Sequence, residues 1–183
     1  MEKKYIDIFS LIDDNLSTNE FENDQKAINK FRHIKEQKYF TRSDLIEMCE
    51  WKTQRTKNLI PPNSESEVRS ISRRVFISTQ EADKMKLLTQ LKGVAVPTGS
   101  AILMLTDPKN YGVIDVRVWQ VLYLYEEVEK KPNGRGLGIK DWDQYLKFLR
   151  DYAEKFSVKA RDIERTLYLH HEDIQDTPLY KYT

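Results

Sequence analysis

The stretch that most constrains the fold is residues 91–119, LKGVAVPTGSAILMLTDPKNYGVIDVRVW. Leu87, Leu88 and Leu91 recur at helical spacing and predict the end of an amphipathic helix. Gly93 stops it, because glycine enters the left-handed region without a Cβ penalty. Val94, Ala95 and Val96 read as a short turn. Pro97 suits a first helical turn, where its missing N–H forfeits no bond. Thr98, Gly99, Ser100 and Ala101 are small and allow close backbone approach, and Ile102-Leu103-Met104-Leu105 continues as an apolar helix. The free N–H groups at the start of that helix are suited to a phosphate. Asp115, preceded by Val113 and Ile114, opens a further helix.

This order of residues resembles the helix-hairpin-helix of the HhH-GPD superfamily of DNA base-excision glycosylases. Leu91, Gly93, Val94, Thr98 and Ala101 follow its hairpin pattern, with Gly99-Ser100 where alanine is usual. Ile114-Asp115 falls at the family's spacing, and Val116-Arg117-Val118-Trp119 is similar to the segment after the aspartate in the 8-oxoguanine branch. The sequence departs from the pattern at Ala95, which replaces the second hairpin glycine, and at Pro97, which stands where bifunctional members carry their Schiff-base lysine. Lys92 lies on the other side of the hairpin. The resemblance implies a monofunctional enzyme acting on double-stranded DNA. Gly93, Val94, Ala95, Thr98 and Arg117 would touch the duplex, and Asp115 would be catalytic.

The chemistry asked of Asp115 is specific. An N-glycosidic bond breaks through an oxocarbenium-like sugar, and a carboxylate near C1′ stabilises that charge and directs water. Aspartate is also a favoured N-cap, and one residue can do both. Arg117 reads equally as a phosphate ligand or a surface arginine. A base flipped from the stack needs an aromatic-lined pocket. Trp51, Trp119, Trp142 and Tyr168 are the candidates, although aromatics more often fill cores. Lys52 is a displaced catalytic lysine or an ordinary ion-pair partner. A lyase using Lys52, and a helix-hairpin-helix DNA-binding protein without catalysis or a subunit of a repair or defence complex, are the alternatives.

At 183 residues the chain suits one domain. Its net charge of +1 confines any footprint for nucleic acid to local patches. The single Cys49 excludes an internal disulfide and a four-cysteine cluster. His33, His170 and His171 have no metal-site spacing, so neither metal nor cofactor is expected. No apolar run is long enough to span a membrane, and the polar start MEKKYIDIFS is no signal peptide. The expectation is an intracellular monomer, cytoplasmic or nucleoid-associated, without a membrane partner.

Residues 1–25 read as an acidic N-terminal extension whose Tyr5, Ile8, Phe9 and Ile12 form one helical stripe. Residues 26–173 read as the helical domain and 174–183 as a flexible tail. A helix is expected over 24–39, another after Thr41 or Ser43 through Leu45, Ile46 and Cys49, and a third over 65–77. Residues 26–57 hold nine Lys/Arg against four Asp/Glu, either a solvated face or a phosphate-contacting one. Ser78 with Glu81 reads as a capping box. KKPNGRGLG, residues 130–138, reads as a flexible loop. Trp142, Tyr145, Leu146, Leu149, Tyr152 and Phe156 share one helix stripe, and Ile163, Leu167 and His170 lie on a last helix. The fold expected is all-α: a compact multi-helix domain containing a helix-hairpin-helix, about eight helices in all.

Overall fold

Where the apolar residues recur at helical spacing, the chain is helical. The computed structural model describes residues 1–53 and 58–175, and among these there are ten helical segments and no strand. They are α1 (Ile8–Asn15), α2 (Glu22–Phe31), α3 (Ile34–Gln37), α4 (Arg42–Lys52), α5 (Glu65–Ile77), α6 (Glu81–Leu88), α7 (Val96–Thr106), α8 (Val116–Leu124), α9 (Ile139–Phe156) and α10 (Ala160–Ile174). The helix expected over 24–39 is two: α2 ends at Phe31, and the single turn of α3 closes on Lys38 at φ 63°. Arg55 and Lys57 of the basic run, and all of the expected tail beyond Gln175, lie outside the described residues.

Two helices organise the packing. α7 is apolar on every side, and nearly all of its residues are buried, as expected of a helix inside the core. It packs against α2, α4 and α6. Ile102, Leu103, Met104 and Leu105 each stabilise the fold by roughly 1.5–3 kcal/mol through burial. α10 is the second centre, packed by α1, α8 and α9, while α6 against α9 joins the two groups. Trp142, Tyr145, Leu146 and Leu149 of α9 are buried, which fulfils the stripe read from the sequence.

Residues 1–25 are not an appendage. Ile8, Leu11 and Ile12 are buried, and α1 packs on α10. Of the acidic residues that suggested an extension, Asp7 caps α1, Asp13 and Asp14 are exposed on it, Glu22 pairs with Lys26 on α2, and Glu20 and Asp24 pair with Arg161. Residues 130–138 are likewise folded onto the domain. Gly134, at φ 65°, lies so close to α8 that a Cβ there would stand 2.7 Å from the Val116 carbonyl oxygen. Lys131 ties the same loop to the Gly136 carbonyl and to Asp141. The Ser78–Glu81 capping box does not form. Gln80 is the N-cap of α6, without a side-chain bond, because Glu81 turns to Tyr111 and Arg150 instead.

The turn between α6 and α7 has the conformation that its glycine allows. Gly93 sits at φ 82°, and a Cβ there would lie 2.7 Å from Ile60 Cδ1 and 2.9 Å from Leu59 Cβ. Buried Asn63 clamps the turn to the loop before α5: its Oδ1 accepts the Lys92 N–H, and its Nδ2 donates to the Lys92 and Ile60 carbonyls. Gly99 brings α7 close to α6, since a Cβ there would be 2.7 Å from Met85 Sδ.

Candidate functional site

Asp115 is placed by hydrogen bonds to the segment before it. Buried Ser100, near the start of α7, accepts the Ile114 N–H at 3.1 Å and donates to the Pro97 carbonyl at 2.8 Å. Tyr145 of α9 donates to the Val113 carbonyl at 2.8 Å. These two bonds fix the chain on the residues immediately preceding Asp115 and tie its position to the turn around Gly93. Asp115 then caps α8, its Oδ1 accepting the Val118 N–H at 3.1 Å. Its other oxygen, Oδ2, is 3.6 Å from Lys52 Nζ at the end of α4. Both side chains are about one-fifth exposed, so the pair is neither fully dry nor open.

Around this pair is a cavity of about 230 Å³, lined by Phe21, Asp24, Trp51, Lys52, Val113, Asp115, Arg161, Glu164, Arg165 and Tyr168. One wall comes from α2 and α4 and the chain before α2, the other from α10 and the segment leading into α8. Trp51 is half-buried, and its indole N–H donates to Asp24 at 3.1 Å. Tyr168 lies beneath the Arg117 guanidinium, whose centre is 4.8 Å from the ring. Burial pushes the Tyr168 hydroxyl up to about 12 despite the nearby Arg117 charge.

The floor is a buried ionic network. Arg161 forks onto Glu20, with Nε to Oε2 at 2.9 Å and Nη2 to Oε1 at 3.0 Å, reaches Asp24 at 3.1 Å, and hydrogen-bonds Glu164. Burial works against the Arg161 charge, but Glu164 and Glu20 outweigh it and hold the guanidinium firmly protonated. Burial raises the Glu164 carboxyl, and the negative charge of Asp115 adds to that, against the pull of Arg161. Asp24 is also raised, chiefly by burial. Glu20 stays low because Arg161 and Arg165 more than offset its own desolvation.

The residues read from the sequence therefore divide. Trp51, Lys52, Asp115 and Tyr168 come together in the cavity. Trp119 does not: it is buried in the core with its indole N–H on the Lys130 carbonyl at 3.1 Å, and Trp142 is equally enclosed. Arg117 is committed within the fold, bonded to Tyr168 and to Glu172, the latter at 3.0 Å. In the turn, Val94 and Thr98 point their side chains inward, leaving only backbone there to meet a ligand, while Ala95 is exposed and caps α7 without a side-chain bond. Phe21, Asp24, Arg161, Glu164 and Arg165 were not singled out from the sequence. A usable signal was present: Arg161, Glu164, Arg165 and Tyr168 recur at helical spacing beside the apolar Ile163 and Leu167, a polar stripe on a helix that packs on several sides.

Among the described residues no three His, Cys, Asp or Glu side chains are grouped to hold a metal ion, and no helix is long and apolar enough to cross a membrane. Cys49 is buried and its thiol is pushed up to about 12, which makes it unreactive. No known protein family, curated protein or solved structure matches this chain.

Proposed function

We propose that this chain is a DNA glycosylase that hydrolyses the N-glycosidic bond of a damaged or modified base, with Asp115 as the group that stabilises the sugar cation and directs water. The observation that carries the reading is the convergence on one cavity of Asp115, marked by its spacing from the Gly93 turn, with the rings of Trp51 and Tyr168. A base turned out of the duplex stacks against these rings. The sugar then lies at the cavity mouth beside the Asp115 carboxylate, whose orientation is already set by its bond to Val118 N–H. Preorganisation of this kind lowers the barrier because little reorientation remains to be done as charge develops.

Lys52 neutralises the aspartate in the free protein. A strand phosphate offers its ammonium a second anion, which releases the carboxylate toward the sugar. The turn at Gly93 and the first N–H groups of α7 hold the duplex backbone in the manner of a helix-hairpin-helix, with phosphate facing the helix N-terminus. Such binding is indifferent to sequence and weakens steeply with salt. The setting for this activity is the cytoplasm or nucleoid, where duplex DNA is met.

The test is a screen of the purified chain against duplexes that each carry one modified base, scored for free base and for abasic sites. Release from at least one duplex, lost in Asp115→Asn, is the expected result. A second reading, a non-catalytic duplex-binding protein, is favoured by one feature: the N-cap bond alone accounts for an aspartate at position 115. Duplex binding with no base released from any substrate would select it.

A further inference from the structure

Among the described residues Arg165 is the buried charged side chain with two nitrogens unpaired. Its side chain is 7% exposed, yet Nε and Nη1 are buried without a hydrogen-bond partner. Among the described residues the one carboxylate within ion-pair distance is Glu20, at 3.7 Å, and Glu20 is already forked onto Arg161. The Arg165 guanidinium lies 4.6 Å from the centre of the Phe21 ring, and both residues line the cavity. Buried donors left unpaired are costly, so a side chain kept in this state points to a partner that arrives from outside.

Beside Arg165 on the same wall stands Glu164. Its Oε2 takes the Arg161 bond, and no bond to its Oε1 occurs among the described residues. Arg165, with Nε and Nη1 unpaired, and Glu164, with Oε1 unbonded among the described residues, thus line one cavity together with the rings of Phe21, Trp51 and Tyr168. Three cations (Lys52, Arg161 and Arg165) face three anions (Asp24, Asp115 and Glu164), so the lining as a whole favours a neutral ligand over an anion.

We propose that this cavity reads the lactam edge of a nucleobase, with Arg165 donating to an oxo oxygen and Glu164 accepting from the adjacent ring N–H. The inference rests on the glycosylase reading for the source of the base and goes beyond it by naming the class. Bases with an oxo group beside a ring N–H match the edge: hypoxanthine, uracil and oxidised guanines, and equally normal guanine and thymine, so the edge sets the class of base and not the modification. Adenine and etheno- or methyl-adenines do not: they present no oxo oxygen to Arg165. Arginine paired to oxo oxygens and carboxylate paired to base N–H groups are the geometries by which side chains distinguish base edges elsewhere. A pocket built this way rejects a base without the edge because its buried groups stay unpaired.

The experiment has two arms on the full chain. In the first, the Trp51 indole N–H resonance is followed while free hypoxanthine or free adenine is added. In the second, release of hypoxanthine, uracil and 1,N6-ethenoadenine from duplexes is measured. The variant is Arg165→Met, which keeps length and packing on Phe21 but removes every donor; thermal melting of the free protein is recorded alongside. The expected result is that hypoxanthine shifts Trp51 and adenine does not. Arg165→Met should weaken the hypoxanthine response, and release of both lactam bases, by about 10- to 100-fold, the usual loss for a hydrogen bond to a charged group. Its melting temperature should hold or rise, since the free protein leaves those donors unpaired. Arg165→Lys, which keeps the charge without the fork, should restore only part of the response. Selective hypoxanthine binding with no base released from any duplex supports the edge-reading pocket and refutes the glycosylase reading alone. Base release that is indifferent to the lactam edge, or unchanged in Arg165→Met, overturns the pocket assignment and leaves the glycosylase reading standing. If neither arm responds, both fall. A melting temperature lowered by several degrees with binding intact makes Arg165 a structural residue and overturns the proposal.

Discussion

Replacing Asp115 by asparagine separates a catalyst from a cap, and the structure sets the size of each effect. The cap bond, Val118 N–H to Oδ1 at 3.1 Å, survives, because asparagine caps a helix about as well as aspartate. What disappears is the charge facing Lys52 at 3.6 Å. At an effective dielectric near ~20 the gross attraction at that distance is about 4–5 kcal/mol. Desolvation and side-chain entropy reduce the net value of a partly exposed pair to about 1 kcal/mol. The same substitution relieves Glu164, whose carboxyl is raised first by burial and further by Asp115. The two changes oppose each other, so folding should shift by no more than about 1 kcal/mol, measured as a denaturant midpoint. Base release should fall by about 10²- to 10⁴-fold, the usual loss of a general base. Duplex affinity should hold or rise, since one charge repelling phosphate is gone. A folded Asp115→Asn protein that binds DNA and releases base at the normal rate would refute the catalytic assignment. Loss of folding with normal activity per folded molecule would reduce Asp115 to a cap.

Three further outcomes are expected. Borohydride added during turnover should trap no protein–DNA adduct, because Pro97 stands where the resemblance would put a Schiff-base lysine and Lys52 is paired in either state, with Asp115 in the free protein and with a strand phosphate on the duplex; an adduct that vanishes in Lys52→Ala would make the protein a lyase. Gly93→Ala should lower stability by about 2–3 kcal/mol, since alanine is strained at φ 82° and its Cβ would press on Ile60 and Leu59; an unchanged melting curve would show that the turn repacks freely. The third concerns acid. His171 is enclosed, with Nε2 2.8 Å from Gln120 Oε1 and Nδ1 without a partner, and burial, reinforced by Arg117, pushes its pKa down to about 4. The unfolded chain takes up that proton near pH ~6.5. The stability from keeping His171 neutral is therefore complete above about pH 6.5 and is lost as pH falls toward about 4, a drop of about 3 kcal/mol. His171→Gln, which can keep a bond to Gln120, should flatten the denaturant midpoint between pH 7 and 4.5, and an equally steep loss in the variant would assign it to other groups.

Local chemistry determined much of this protein. Leu87 and Leu88 ending a helix, Gly93 in the left-handed turn and the all-apolar α7 are written within a few residues of each other, because helical periodicity and glycine's freedom act over one or two turns, although Leu91, read as part of that helix, lies in the turn beyond its last residue, Leu88. The N-cap at Asp115 was legible for the same reason. Local chemistry also misled where a distant partner outbid it. Glu81 abandons the Ser78 cap for Tyr111 and Arg150, which are far along the chain. The charges of residues 1–25 suggested an extension although Ile8 and Ile12 stood in a helical stripe; in the fold these two and Leu11 are buried where α1 packs on α10, while Phe9 of the same stripe stays exposed. Of the aromatic candidates, Trp51 and Tyr168 reached the cavity and Trp119 the core, and no local pattern separated them. The cavity draws on residues from Phe21 to Tyr168, so its membership was settled by how α2, α4, α8 and α10 pack. Tertiary structure alone decided that Lys52 meets Asp115 and that Arg165 is buried without a hydrogen bond. Burial and pairing belong to the assembled core, where an unpaired donor has a free-energy cost that the same side chain in water does not.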